Sequence, residues 1–131
     1  MLSGVPMPVV RAADAPTFEV HGATITGGAA PSRGSTQTCL WRIDLAPGSS
    51  VPAHILDHEE IFHALSGALL ATVDGELHHV SGGDTLIVRP GATLQITVPD
   101  DARFQAVVAL PAGTLARFAA GGEPFTPPWA V

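Results

Sequence analysis

His54, Asp57, His58, Glu59, Glu60 and His63 crowd into the middle of the stretch GSSVPAHILDHEEIFHALSG, which runs from Gly48 to Gly67. Imidazole exchanges a proton near neutral pH, and a carboxyl group nearby can share general acid–base work with it or join it in holding a divalent cation. His54, Leu56, His58 and Glu60 have the same parity, so an unbroken strand would turn all four to one side. His54, His58 and Glu60 would then supply the three protein ligands that a catalytic metal such as Fe, Zn, Mn or Ni wants. A turn at Leu56-Asp57 cancels that geometry and leaves Asp57, His58 and Glu59 as a solvated charged loop. His54 and Glu60 would still form a polar couple in an apolar interior. Such a couple suits proton shuttling in an isomerisation, cyclisation or dehydration, or it simply satisfies its own buried polar atoms. Burial raises a carboxyl pKa and an imidazolium lowers it, so the residues alone leave the sign for Glu60 open.

Other reactive side chains carry less. His63 is out of phase with Glu60 and faces outward if Glu60 faces inward; His78 and His79 are adjacent, so at most one can face a pocket, and His21 gives no signal. Arg42 and Arg89 end on or in strands, where a water-exposed rim suits an arginine that has no carboxylate partner. Cys39, next to Trp41, reads as a small packed hydrophobe. No GxSxG, P-loop or GxGxxG pattern occurs, which leaves serine-hydrolase and nucleotide-binding readings without support.

The elements that must position these groups are strands. Short segments rich in Val, Ile, Leu, Thr and Phe recur at Thr17–Val20, Ala23–Thr26, Gln37–Leu45, Glu60–Leu65, Ala68–Val73, Glu76–Val80, Thr85–Val88, Thr93–Val98 and Ala102–Leu110. None sustains a helical period. Asp74-Gly75 predicts a two-residue hairpin turn with positive φ, and Thr114–Ala120 is the one candidate helix, readable equally as a strand. Many short strands separated by Gly and Pro predict an all-β sandwich or closed barrel. The 131 residues fit one domain, 46% hydrophobic and 14% charged, enough for a real core. The expected organisation is an irregular arm over 1–16, a barrel over 17–120 and a tail over 121–131. In that tail, GGEPFTPPWAV, two prolines stiffen the chain so that Phe125 and Trp129 are presented over the barrel mouth or against a second subunit.

A net charge of −6 with six arginines, no lysine and no basic cluster argues against nucleic acid. One cysteine allows no internal disulfide. No apolar run reaches membrane-spanning length, and the first residues lack a signal peptide's charged and apolar regions, so a cytoplasmic protein is expected. A homodimer is also expected, since the edge strands of a small barrel invite pairing.

Gly48, His54, Glu60 and Gly67, with five, five and six residues between them, resemble the first motif of the cupin family, and Pro47 and Leu65-Ser66 resemble its flanks. Fifteen residues on, Gly83-Asp84 and Pro90-Gly91 resemble the second motif. The likeness spans roughly Gln37 to Leu110 and implies a single jelly-roll β-barrel with a small-molecule pocket inside. Metal-binding cupins use three histidines and a carboxylate. Carried over position by position, these fall on His54, Leu56, Glu60 and Leu94, while the second motif's proline falls on Arg89 and its asparagine on Val98. Only two of the four donors survive. The resemblance therefore implies an enzyme of isomerase, cyclase or dehydratase type with weak or no metal dependence, no cofactor, His54 and Glu60 as catalytic residues, and an apolar lining of Leu56, Phe62, Leu94 and Ile96. A metal-dependent oxygenase using His54, His58 and Glu60 is one alternative, and a non-catalytic binding or sensor domain is another.

Overall fold

The computed structural model describes residues 8–131, so the first part of the expected N-terminal arm, residues 1–7, lies outside the described residues. The rest of that arm carries one short 3-10 turn at Ala12–Asp14. Asp74 and Gly75 do turn the chain with positive φ, at 50° and 82°. The carboxylate of Asp74 accepts a hydrogen bond from the Thr93 N–H at 2.8 Å, and Asp74 in turn donates its own N–H to the Thr93 carbonyl. This turn is the tip of a long hairpin. On one side run β3 (Thr38–Leu45), β4 (Ser50–Leu56), β5 (Glu60–Ser66) and β6 (Ala68–Val73); on the other run β7 (Glu76–Ser81), β8 (Thr85–Val88), β9 (Thr93–Thr97) and β10 (Phe104–Pro111). Successive rungs β6–β7, β5–β8, β4–β9 and β3–β10 all pair antiparallel.

Rolling this hairpin up sends alternate rungs to opposite sheets. β1 (Thr17–Val20) and β2 (Ala23–Gly27) extend one sheet to the order β1-β2-β3-β10-β5-β8, and β11 (Ala116–Phe118) caps the other as β11-β4-β9-β6-β7. The result is an all-β jelly roll of two facing antiparallel sheets, as expected. The candidate helix at Thr114–Ala120 resolves as β11, because its backbone is taken up by Leu56–His54 on one side and Phe125 on the other. No helix among the described residues is long and apolar enough to cross a membrane.

Strict alternation builds the core. Cys39, Trp41, Ile43 and Leu45 of β3 and Phe104, Ala106, Val108 and Leu110 of β10 point inward, facing Leu69, Ala71, Leu94 and Ile96 of the opposite sheet. Arg42 and Arg89 are both exposed, as a rim position requires. Cys39 is fully buried, and burial pushes its thiol up, with Arg33 opposing.

Gly67 stands at the β5–β6 corner with φ +80°, and a Cβ there would lie 2.2 Å from the Arg103 carbonyl oxygen. Gly75 has nearly the same φ but open space around it. We expect Gly75→Ala to cost on the order of 1 kcal/mol for backbone strain alone, and Gly67→Ala at least ~2 kcal/mol because the two backbones must also part. Urea denaturation of both variants checks this, and equal losses would contradict it.

Candidate functional site

Residues 50–56, outside the strands expected from sequence, form β4 in spite of Pro52, which cannot donate to a sheet ladder. The fold accommodates it in a bulge. Val51 lies opposite Ile96 and His54 opposite Leu94, so three steps along β4 match two along β9. An extra residue reverses the facing of whatever follows it. Val51 and His54 therefore both face inward and line the same cavity.

Beyond Leu56 the chain leaves β4 and bends. The Asp57 carboxylate accepts from the Leu115 N–H at 2.8 Å and lies 2.7 Å from Nδ1 of His58. This bend breaks the common parity on which a His54, His58 and Glu60 metal set depended: His58 is about half exposed, on the loop beside Asp57, and does not reach the cavity. Among the described residues no three His, Cys, Asp or Glu side chains are grouped closely enough to hold a metal ion. The inward phase resumes with Glu60 at the head of β5, followed by Phe62 and Ala64, while His63 faces outward and hydrogen-bonds Thr85 at 2.9 Å.

His54, Leu56 and Glu60 line a cavity of about 430 Å³ whose remaining wall is almost wholly apolar. β3 contributes Trp41, β11 contributes Phe118, and the C-terminal segment folds back to contribute Phe125, Pro127, Pro128 and Trp129. The tail aromatics thus lie over the barrel mouth of their own chain. A smaller recess that shares Trp41, Val51, His54, Glu60 and Trp129 extends inward to Phe62 and Ile96. Leu94 departs from expectation: it pairs directly with His54 across the ladder, but at 1% exposure it is packed into the core and off the cavity wall.

The electrostatics follow from this dry setting. Glu60 is 5% exposed, its Oε1 has no hydrogen-bond partner among the described residues, and burial pushes its carboxyl up to about 8. Desolvation therefore wins the contest that the sequence left open, because among the described residues no cation stands beside the group. Burial also holds the His54 imidazole below its ordinary value, partly offset by the Pro52 carbonyl. At neutral pH both groups are uncharged. Nδ1 of His54 lies 2.9 Å from the Pro52 carbonyl oxygen, which can only accept, so Nδ1 carries the ring proton and Nε2 keeps its lone pair.

Several lining residues were not foreseen. His21 lines the cavity from the β1–β2 turn, with φ 52° and an edge-on contact with Phe118 at 6.3 Å between ring centres. The signal was present, since His21-Gly22 fills a two-residue gap between two strand-like runs, as Asp74-Gly75 does. Trp41 was recoverable from its parity with Ile43 and Leu45. Phe118 was hidden by the ambiguity of Thr114–Ala120.

Glu60 makes stability depend on pH in a defined direction. An unfolded glutamate ionises near pH 4.5, whereas the native carboxyl holds its proton to about pH 8. Between those values the unfolded state binds fewer protons, so the Glu60 contribution is fully present below pH 4.5, declines as pH rises and is gone above pH 8. We expect the stability of Glu60→Gln relative to the parent protein to rise by on the order of 3–5 kcal/mol from pH 4.5 to 8.5 in urea titrations. Parallel profiles would contradict the assignment.

The comparisons with known proteins agree with this architecture. The family model described as Cupin domain matches residues 41–110, and no curated protein sequence matches the chain. Among solved structures, the polyketide cyclase RemF from Streptomyces resistomycificus superposes with a TM-score of 0.78 at 17% identity, over 90% of this chain and 89% of that one. A predicted oxalate decarboxylase from Thermotoga maritima gives 0.68 at 19% identity, over 79% of this chain and 97% of that one. A PAC13 variant from Streptomyces with uridine gives 0.69 at 12% identity, over 82% and 83%. Likeness at such identities carries the fold, and the matched family model covers more than half of the residues; the chain belongs to the cupin family.

Proposed function

We propose that this cupin is a small-molecule enzyme working by general acid–base catalysis in the mouth cavity, with Glu60 as acid and His54 as base, on an uncharged, largely apolar carbonyl compound. The observation that carries this reading is the Glu60 carboxyl, buried at the cavity without a partner on Oε1 and protonated at neutral pH. His54 lines the same wall with Nε2 bare. An acid and a base that are both neutral, in a cavity lined largely by aromatic and aliphatic side chains, can act together without a charged resting state.

In such a step, Nε2 of His54 takes a proton from the carbon next to a carbonyl while the Glu60 O–H delivers its proton to the carbonyl oxygen. The substrate becomes a neutral enol, and the protein is left with an imidazolium and a carboxylate that stabilise each other across the cavity. Returning the protons at another carbon completes an isomerisation, and capture of the enol carbon by a second carbonyl completes a cyclisation. The fold likeness to the polyketide cyclase RemF supports chemistry of this class.

The four-donor metal site implied by the family's motifs does not fit this chain. Two of its positions are Leu56 and Leu94, both buried and apolar, and His58 stands outside on its loop. Glu60 and His54 alone are a poor donor set for a catalytic divalent ion. No step is therefore assigned to a metal.

Exchange of the activated C–H protons of 2-tetralone in deuterated buffer, followed by NMR, tests the reading. Expected is acceleration with a bell-shaped pH profile, its alkaline limb near 8 and its acid limb below the ordinary histidine value. His54→Ala and Glu60→Gln should each lower the rate by about 10²-fold or more. Acceleration that survives both substitutions would contradict the roles assigned, and binding without any exchange would favour a binding or sensor domain.

A further inference from the structure

Besides Glu60 and His54, His21 is the one titratable side chain among the described residues that lines the mouth cavity, and the acid–base reading gives it no task. It belongs to the turn between β1 and β2, where His21 and Gly22 have φ of 52° and 77°. Most side chains avoid that conformation, and Asn-Gly or Asp-Gly is the preferred pair for it. In the matching turn at Asp74-Gly75 the first residue serves the fold, because its carboxylate accepts the Thr93 N–H. His21 has no such local use. The histidine ring hydrogen bonds among the described residues are those of His54, His58 and His63. A side chain held in an unfavourable backbone conformation without a local hydrogen bond points to a role in function.

The turn is firmly placed. The Gly22 carbonyl accepts from the Ala46 N–H at 3.1 Å, and a Cβ on Gly22 would lie 2.9 Å from that of Ser49. The imidazole meets the ring of Phe118 edge-on, with 6.3 Å between ring centres and 83° between planes. Phe118 is in turn the ladder partner of His54. His21 is exposed, and it also lines a surface recess formed by residues 19–24. Its ring is therefore open both to solvent and to the cavity.

The two ends of the cavity differ accordingly. Glu60 and His54 also line the inner recess with Phe62 and Ile96, and His21 does not. His21 stands at the outer rim, and Val20, Trp41, Phe118 and Phe125 supply apolar wall. A neutral imidazole offers one N–H and one lone pair, and a hydroxyl group complements either. Phe118 and Phe125, with ring centres 5.5 Å apart, suit a flat ring system. The matching ligand is polar at both ends and apolar between.

We infer that His21 is a substrate-binding, specificity-determining residue that hydrogen-bonds a hydroxyl group on the outer ring of a fused-ring ketone whose carbonyl end lies inward. This rests on the proposed use of the cavity as the substrate site, but not on Glu60 and His54 moving the proton.

The test crosses two proteins with two kinds of ligand. His21→Asn removes the imidazole and puts the preferred Asn-Gly pair in the turn, so its urea midpoint is expected to be no lower than the parent's. Calorimetry gives dissociation constants of both proteins for 2-tetralone and for its 6-hydroxy and 7-hydroxy derivatives. The inference expects at least one hydroxy derivative to bind the parent about fivefold tighter than 2-tetralone. It expects His21→Asn to remove that advantage while changing 2-tetralone affinity by less than about twofold. Equal losses for all three ketones, or a clearly lower urea midpoint, would mark a purely structural residue and overturn it. A hydroxyl preference that survives without the imidazole would also overturn it, as would no such preference in the parent or no binding of any of the three. The acid–base reading is judged separately by C–H exchange in 2-tetralone. A His21-dependent hydroxyl preference in a protein that exchanges no protons would sink that reading and leave this one standing, and exchange without the preference would do the reverse.

Discussion

A carboxyl group held in an apolar cavity, with no counter-ion among the described residues, is the constraint around which this molecule is organised. Ionised, Glu60 would forfeit its hydration with nothing returned, so the fold keeps it protonated to about pH 8. That state requires walls that keep water off the carboxyl, which is 5% exposed. The rolled hairpin supplies them on the inside, through the alternating rows of β3 and β10 against β6 and β9. The C-terminal segment supplies them at the mouth, where Pro127 is buried and Trp129 is tied to Arg33. Loosening either would let water reach Glu60 and return it toward an ordinary glutamate.

The second consequence concerns His54. A plain strand through Val51 and His54 would turn one of them outward, and the bulge at Pro52-Ala53 lets both face the cavity. The same bulge leaves the Pro52 carbonyl free to accept from Nδ1, which settles the tautomer and bares Nε2. A local irregularity in the sheet thus does two things for one side chain: it aims the ring and sets which nitrogen is basic. Leu56 and Leu94, at positions where metal-binding relatives carry imidazoles, keep the surroundings of this couple dry.

Much of the framework could be read from the chain. The strands at Thr17–Val20, Ala68–Val73 and Thr85–Val88 fall where alternation and turn residues put them, because both signals are local. Gly67 was readable as a motif position for the same reason, and the close approach of the Arg103 carbonyl explains why a side chain is not tolerated there. What escaped depends on contacts distant in sequence. Strand β4 is a strand because β9 and β11 pair with it in spite of Pro52. His58 leaves the site because Asp57 binds the backbone at Leu115, far along the chain. Leu94 was expected on the wall, and it is neighbouring core side chains, not its own parity, that cover it. For the tail, residue types marked Phe125 and Trp129 as anchors, but composition could not choose between the chain's own mouth and another subunit.

The central claim is the protonation state of one carboxyl, and it can be observed directly. Protein labelled with 13C at glutamate side-chain carboxyls, compared with Glu60→Gln to isolate the Glu60 signal, reports ionisation as a function of pH by NMR or by the infrared C=O stretch. The account predicts a neutral carboxyl at neutral pH and a midpoint near 8. A Glu60 signal already ionised at neutral pH, with a midpoint near the ordinary 4.5, would contradict it.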